Sequence, residues 1–135
     1  MNSKCEFSHS IREALSRDKK LVRLLGGTNI FEGYDTEISS PHINICETDT
    51  WRDCSVLKPD HDATVTLHVW SHSGEKSRAH ELIEAAERAL AKSGLLEPGS
   101  RILLHRDYAG ARKLPEIGEF QGILRYHAEH HSDAA

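Results

Sequence analysis

No stretch of this sequence stays apolar for more than a few residues, so no segment has the length to cross a bilayer as a helix. Cysteine is scarce. Cys5, Cys46 and Cys54 make an odd count with no two at CxxC spacing, which argues against a disulfide framework and a cysteine-rich zinc site. All three read as plain thiols, Cys46 as part of a strand. Basic charge is also in short supply: 17 Lys and Arg stand against 21 Asp and Glu, a formal net charge of -4. The densest basic stretch, Arg17, Lys19, Lys20 and Arg23, lies beside Glu13 and Asp18. A protein that grips nucleic acid through phosphates presents a basic face, and none is evident. Met1 to Phe7 lacks the basic start and apolar run of a signal peptide, so the expectation is a chain that begins in a cytoplasm.

Catalytic signatures are missing as well. Ser39, Ser40 and the histidines form no GxSxG elbow. Gly26-Gly27 has neither the lysine of a P-loop nor the third glycine of a dinucleotide fingerprint. Glu81, Glu84 and Glu87 fall on a helix surface without an obvious cleft, which suits a solvated face better than acid–base chemistry. Ten histidines invite a metal reading, most densely at His127, His130 and His131. The i, i+4 spacing of His127 and His131 would put two imidazoles on one face of a helix. Glu129 is misplaced for HExxH, however, and the segment ends a strand, so a solvated polar tail is the reading adopted. The sequence points to no enzyme, no cofactor and no metal site.

What the sequence does contain is the core of one α+β domain. Its 135 residues are 38% hydrophobic and 28% charged, normal for a soluble globule and long enough to fold without disulfide or metal. The domain is expected to take in residues 1–135, with 1–8 and 129–135 frayed. A helix begins near Ser8 or Ser10, its stripe made by Ile11, Ala14 and Leu15. Asp18 caps a second short helix carrying Leu21, Val22, Leu24 and Leu25, which Gly26-Gly27 ends. Asn29 to Glu32 is a short strand, and Pro41 opens another in which Ile43 and Ile45 share a face. Glu47 to His61 reads as a long loop. Thr64 to Trp70 is the clearest strand, with Val65, Leu67 and Val69 alternating against Thr64, Thr66, His68 and Trp70. A long helix follows from about Glu75 to Ser93, burying Ala79, Leu82, Ile83, Ala86 and Leu90. Two more strands, Arg101 to Tyr108 and Glu119 to Ala128, flank a loop from Ala109 to Gly118. Two strand connections are too short for a helical crossover, so the sheet should be mostly antiparallel, with the long helix on one face and the N-terminal helix beside it.

The candidate contact residues are aromatic and cationic. Trp51 and Arg52 sit in the polar run Thr50-Trp51-Arg52-Asp53; a tryptophan there either plugs into its own core or meets a partner, and the loop offers little else to pack on. His68 and Trp70 point the same way from one strand. They either line a subunit contact or belong to a partly exposed sheet face.

Three stretches carry a resemblance. The first is the amphipathic run from Ala14 to Gly26 with Ile30-Phe31 after it. The second is Pro41-His42-Ile43-Asn44-Ile45, which has His42 where an aromatic is usual. The third is Val65-Thr66-Leu67-His68-Val69-Trp70-Ser71 leading into a helix that ends near Ala89-Leu90. Their order and spacing, over Ile11 to Ala128, resemble the phage-type tail terminators: small tail-completion, head–tail joining proteins of long-tailed phages and gene transfer agents. The resemblance implies a structural virion protein of the tail neck, assembled in the host cytoplasm. It implies a homo-hexameric ring that caps the head-proximal end of the tail tube, stops its polymerisation and meets the head connector. DNA would pass through the lumen without sequence-specific binding, and no membrane is involved. The alternatives are a head-completion stopper, a bacterial binding domain, or a small metal-dependent hydrolase built on the C-terminal histidines.

Overall fold

The computed structural model describes residues 6–33, 41–49, 60–72, 74–94 and 102–131. In chain order these form α1 (Glu6–Ser16), α2 (Lys19–Leu25), β1 (Ile30–Glu32), β2 (His42–Asp49), β3 (Asp60–Trp70), α3 (Lys76–Ser93), β4 (Ile102–Leu114) and β5 (Glu119–His131). The five strands make one sheet in the order β1-β2-β3-β5-β4. Only β1 and β2 run parallel; the other three pairings are antiparallel. The expected α+β class with a mostly antiparallel sheet is what forms.

One core unites the helices with one face of the sheet. Phe7, Ile11 and Leu15 of α1, Leu21 and Leu25 of α2, and Leu82, Ile83, Ala86 and Leu90 of α3 are buried against Ile43, Ile45, Val65, Leu67, Val69, Leu124 and Tyr126. Burying a Val, Leu or Ile side chain is worth about 1.5–3 kcal/mol, so these period-two and period-3.6 patterns fix which way each element faces. The helix ends use the devices expected of them. The Asp18 carboxylate accepts the Leu21 N–H at 3.0 Å, and Gly26 closes α2 in the left-handed region at φ 80°, a conformation that costs other residues a Cβ clash.

Five boundaries differ from expectation. Helix α1 starts at Glu6, anchored by the buried Phe7, and β5 runs to His131; both lie in stretches expected to fray. Strand β2 continues to Asp49 and β3 begins at Asp60, so ladder pairs such as Thr48 with Thr64 occupy part of the expected long loop. Backbone hydrogen bonds hold this ladder, and they need no apolar side chains. Finally, β4 extends to Leu114, through most of the expected loop from Ala109 to Gly118. A register shift between Arg106 and Tyr108 is the reason. The shift inverts which side chains face the core, so the alternation that buries Leu104 resumes out of phase, with Ala109 and Ala111 against the core. A turn over residues 115–118 then joins β4 to β5.

All three helices pack on that single face, and no described element covers the other.

Candidate functional site

The uncovered face is built from alternate residues of the same strands. Opposite the core-facing Val69, Leu67 and Val65, β3 presents Trp70, His68, Thr66 and Thr64. Beside them the ladders set His42 and Asn44 of β2 and Gln121, Ile123, Arg125 and His127 of β5. Strand β4 adds Arg112, Tyr108 and His105.

At one end of this face the rings gather. His42 stacks on Trp70 with centroids 6.0 Å apart and on His72 at 5.2 Å, and Phe31 meets His42 edge-on at 6.2 Å. His72 reaches this cluster from a left-handed backbone at φ 53°, uncommon for a side-chain-bearing residue. Its ring lies between the His42 imidazole at 3.4 Å and the Glu119 carboxylate at 3.5 Å. Trp70 Nε1 donates to Asn44 Oδ1 at 3.0 Å, and Asn44 Nδ2 donates to the Gly33 carbonyl at 3.1 Å. The tryptophan ring is thus held in one orientation while its body remains half-exposed.

In the middle, three polar groups form a relay. Arg112 Nε donates to Gln121 Oε1 at 3.1 Å, which leaves the Gln121 amide nitrogen facing His68 Nδ1 at 3.2 Å. Because the amide nitrogen can only donate, His68 Nδ1 must accept, so the imidazole is neutral on that side. Burial, and secondarily the positive charge of Arg112, push the His68 pKa below its ordinary value, which agrees with that assignment. Arg125 lies over the Tyr108 ring at 5.4 Å, and the same ring covers Gly110, where a Cβ would come within 2.7 Å of the phenol oxygen. At the far end His105 and His127 flank Glu129, at 3.5 and 3.8 Å from its carboxylate.

Of the residues singled out from the sequence, His68 and Trp70 lie side by side on this face, each tied to a polar neighbour. Trp51 and Arg52 fall outside the described residues. Among the described residues no group of three or more His, Cys, Asp or Glu is arranged to hold a metal ion, and no described helix is long and apolar enough to cross a membrane. The sequence reading missed Asn44, Gln121 and Arg112 as members of the site. Their only signal was the outward phase of their strands beside His68 and Trp70. Tyr108 had a sharper one, a glycine two residues on, since an aromatic often covers the bare backbone of a same-face glycine.

The arrangement is a braced, aromatic and polar surface. Solved structures share this fold. A chain from the virion of a native gene transfer agent particle superposes with a TM-score of 0.62 at 16% identity, covering 89% of this chain and 90% of that one. The gp17 protein of bacteriophage SPP1 superposes with a TM-score of 0.64 at 15% identity, covering 98% and 94%. Comparison with curated protein sequences finds no match. The model of the tail completion protein gp17 family matches residues 9–131, and the chain belongs to that family.

Proposed function

We propose that this protein is a structural component of a virion neck: a ring of identical subunits that caps the head-proximal end of a tail tube, ends tube growth and joins the tail to the head connector. The observation that carries the reading is the family match over residues 9–131. The tail-completion role named in the family comes to this chain through it. The architecture supports it. A sheet with helices on one side only has an uncovered face and two edges, β1 and β4, that neighbouring subunits can cover. Head-to-tail contacts around an axis also give a ring two unlike faces, one for tube and one for connector. The net charge of -4 suits a lumen through which DNA passes, because a wall that bound phosphates and released their counterions would retard it.

Within this reading His68 and Trp70 are contact residues on the uncovered face, and Trp51 and Arg52 extend the contacts from residues 50–59. The partners are further copies of the chain, the tail tube protein and the head connector, and the protein needs no cofactor and catalyses nothing. The test is deletion of the gene, with lysates examined by electron microscopy. The expected result is filled heads without tails beside tubes of irregular and excessive length, since tube subunits add to an open end until something occupies it. Tubes of normal length beside heads that leak DNA would assign the protein to the connector as a stopper, and normal infectious particles would defeat both assignments.

A further inference from the structure

The helical side of the molecule holds a feature that the uncovered sheet face does not explain. Where the α1–α2 junction meets the C-terminal end of α3 there is a cleft of about 480 Å³. Its walls carry four cations, Arg17, Lys19, Lys20 and Lys92, against one carboxylate, Asp18, and its apolar lining is Ala14 and Ala89. Asp18 is spent internally: one oxygen caps α2 and the other lies 3.3 Å from Lys92. Arg17 is shared with Glu13 at 3.4 Å, whereas Lys19 and Lys20 are exposed with no ion pair among the described residues. In a chain of net charge -4, this is a concentrated positive site with a small-residue floor. The cations complement a carboxylate-bearing protein segment, and the alanines between them leave room for one of its side chains.

A feature of matching chemistry lies at the opposite end of the subunit. The turn between β4 and β5 places Ile117 in solvent at 55% exposure, the more exposed of the two large hydrophobic residues that the described surface displays. From Leu114 to Glu119 the segment holds two carboxylates, Glu116 and Glu119, and no cation; Lys113 stands one residue behind. Glu119 faces His72, and Glu116 is exposed and without a described partner. The turn packs beside the start of α3, since a Cβ on Gly74 would sit 3.2 Å from the Gly118 carbonyl. The cleft lies at the other end of that helix, 15 or more residues away. At about 1.5 Å of rise per residue this is more than about 20 Å, so a subunit cannot place its own turn in its own cleft.

We propose that the β4–β5 turn of one subunit docks in the α1–α2/α3 cleft of the next, with Ile117 over Ala14 and Ala89 and Glu116 among Lys19, Lys20 and Lys92. Two unlike surfaces at opposite ends of one subunit make a heterologous contact, and repetition of such a contact closes a ring when the rotation permits. The proposal rests on the ring reading above and names the contact that would build the ring.

The test is reciprocal charge reversal, read by sedimentation velocity and native mass spectrometry on the full-length protein. Lys20→Glu and Glu116→Lys are both surface changes, and thermal melts check that each variant folds. Each alone should raise the concentration for half-assembly at least tenfold. Mixed in equal amounts, the two should assemble again, because in an alternating ring every junction pairs Glu116 with Lys20 or their reversed equivalents. Single variants that assemble like wild type, or a mixture that stays dissociated, overturn this contact and leave the ring standing. A wild-type chain that remains monomeric at every concentration overturns the ring reading and the contact together. A photo-crosslinking residue at position 117 in assembled particles decides the case even for a variant that misfolds. Adducts to Ala14–Lys20 or Ala89–Ser93 of another copy are expected, and adducts to a tube or connector protein instead would overturn the proposal.

Discussion

Trp70 and Asn44 are joined across the β2–β3 ladder by a 3.0 Å hydrogen bond from the indole N–H to the amide oxygen, and Asn44 is itself buried and bonded to the Gly33 carbonyl. The bond ties the conformation of the half-exposed indole to the junction of β1 with β2. Trp70→Phe keeps a ring but removes the donor, leaving a buried amide oxygen unsatisfied. The expected cost is about 1–3 kcal/mol in a thermal or urea melt, and replacing Asn44 by Leu in the same chain should recover part of it. Equal melts for Trp70→Phe and wild type would show that the bond contributes nothing.

α3 packs tightly on the sheet at Gly122: a Cβ there would lie 2.8 Å from the Ile83 side chain and 3.1 Å from Val69. Gly122→Ala should destabilise by about 1–3 kcal/mol through overpacking. Combined with Ile83→Val it should cost less than the sum of the two single changes, because the smaller side chain removes the collision. Strict additivity in that cycle would mean that the helix shifts freely.

Leu67→Ala and Ile83→Ala each delete a buried branched side chain from the sheet–helix interface and should cost about 2–5 kcal/mol. Trp51→Ala, at a position proposed for partner contact, should cost the isolated subunit much less while weakening attachment. The reverse order in thermal melts would mean that core and contact surface have been exchanged.

His68 makes part of the stability pH-dependent. Its folded-state pKa lies below 6.5, so between the two values the unfolded chain binds more protons than the folded one. Stability therefore rises with pH across that window and is lost as pH falls from about 6.5 toward the folded-state value. Protonation would also turn Nδ1 into a donor facing the Gln121 amide nitrogen. Difference melts between wild type and His68→Gln from pH 7.5 to 5 should show the variant losing less stability on acidification; parallel curves would exclude the effect.

At the α2 cap the sign comes from a depressed carboxylate. The Leu21 N–H, and with it Lys92, hold Asp18 below its ordinary 3.8, so its contribution is present above that value and lost as pH falls through the folded-state pKa. Asp18→Ala should cost about 1 kcal/mol at neutral pH. Asp18→Asn should cost less, because asparagine caps as well, and it should remove the acid sensitivity; an asparagine variant as weak as the alanine one would place the effect in Lys92 instead.

Much of the fold was legible because burial enforces periodicity. Val65, Leu67 and Val69, and Ala79 through Leu90, could be assigned to a strand and a helix from spacing alone, and Asp18 and the glycines marked the ends. The course of β4 was illegible for a local reason: the irregularity at Arg106–Tyr108 reverses the phase, and the small residues Ala109, Gly110 and Ala111 carry little strand signal of their own. The site was half legible. His68 and Trp70 stand out by residue type, but Asn44, Gln121 and Arg112 acquire their roles only from cross-strand register, which joins positions as far apart as 44 and 70 or 68 and 121. The cleft was harder still, since Lys92 and Lys20 meet only through helix packing.

The sheet order also bears on biosynthesis. β5 is the last described strand to leave the ribosome, yet it lies between β3 and β4, which have no other means of joining. Until β5 arrives, two long strands hold open edges, and a chain cut short before Glu119 would expose both of them to other molecules. Non-local pairing of this kind also slows folding. A cell making this protein therefore has an interval in each synthesis when the product is at its most adhesive, and chaperone occupancy should peak there rather than after the N-terminal helices emerge.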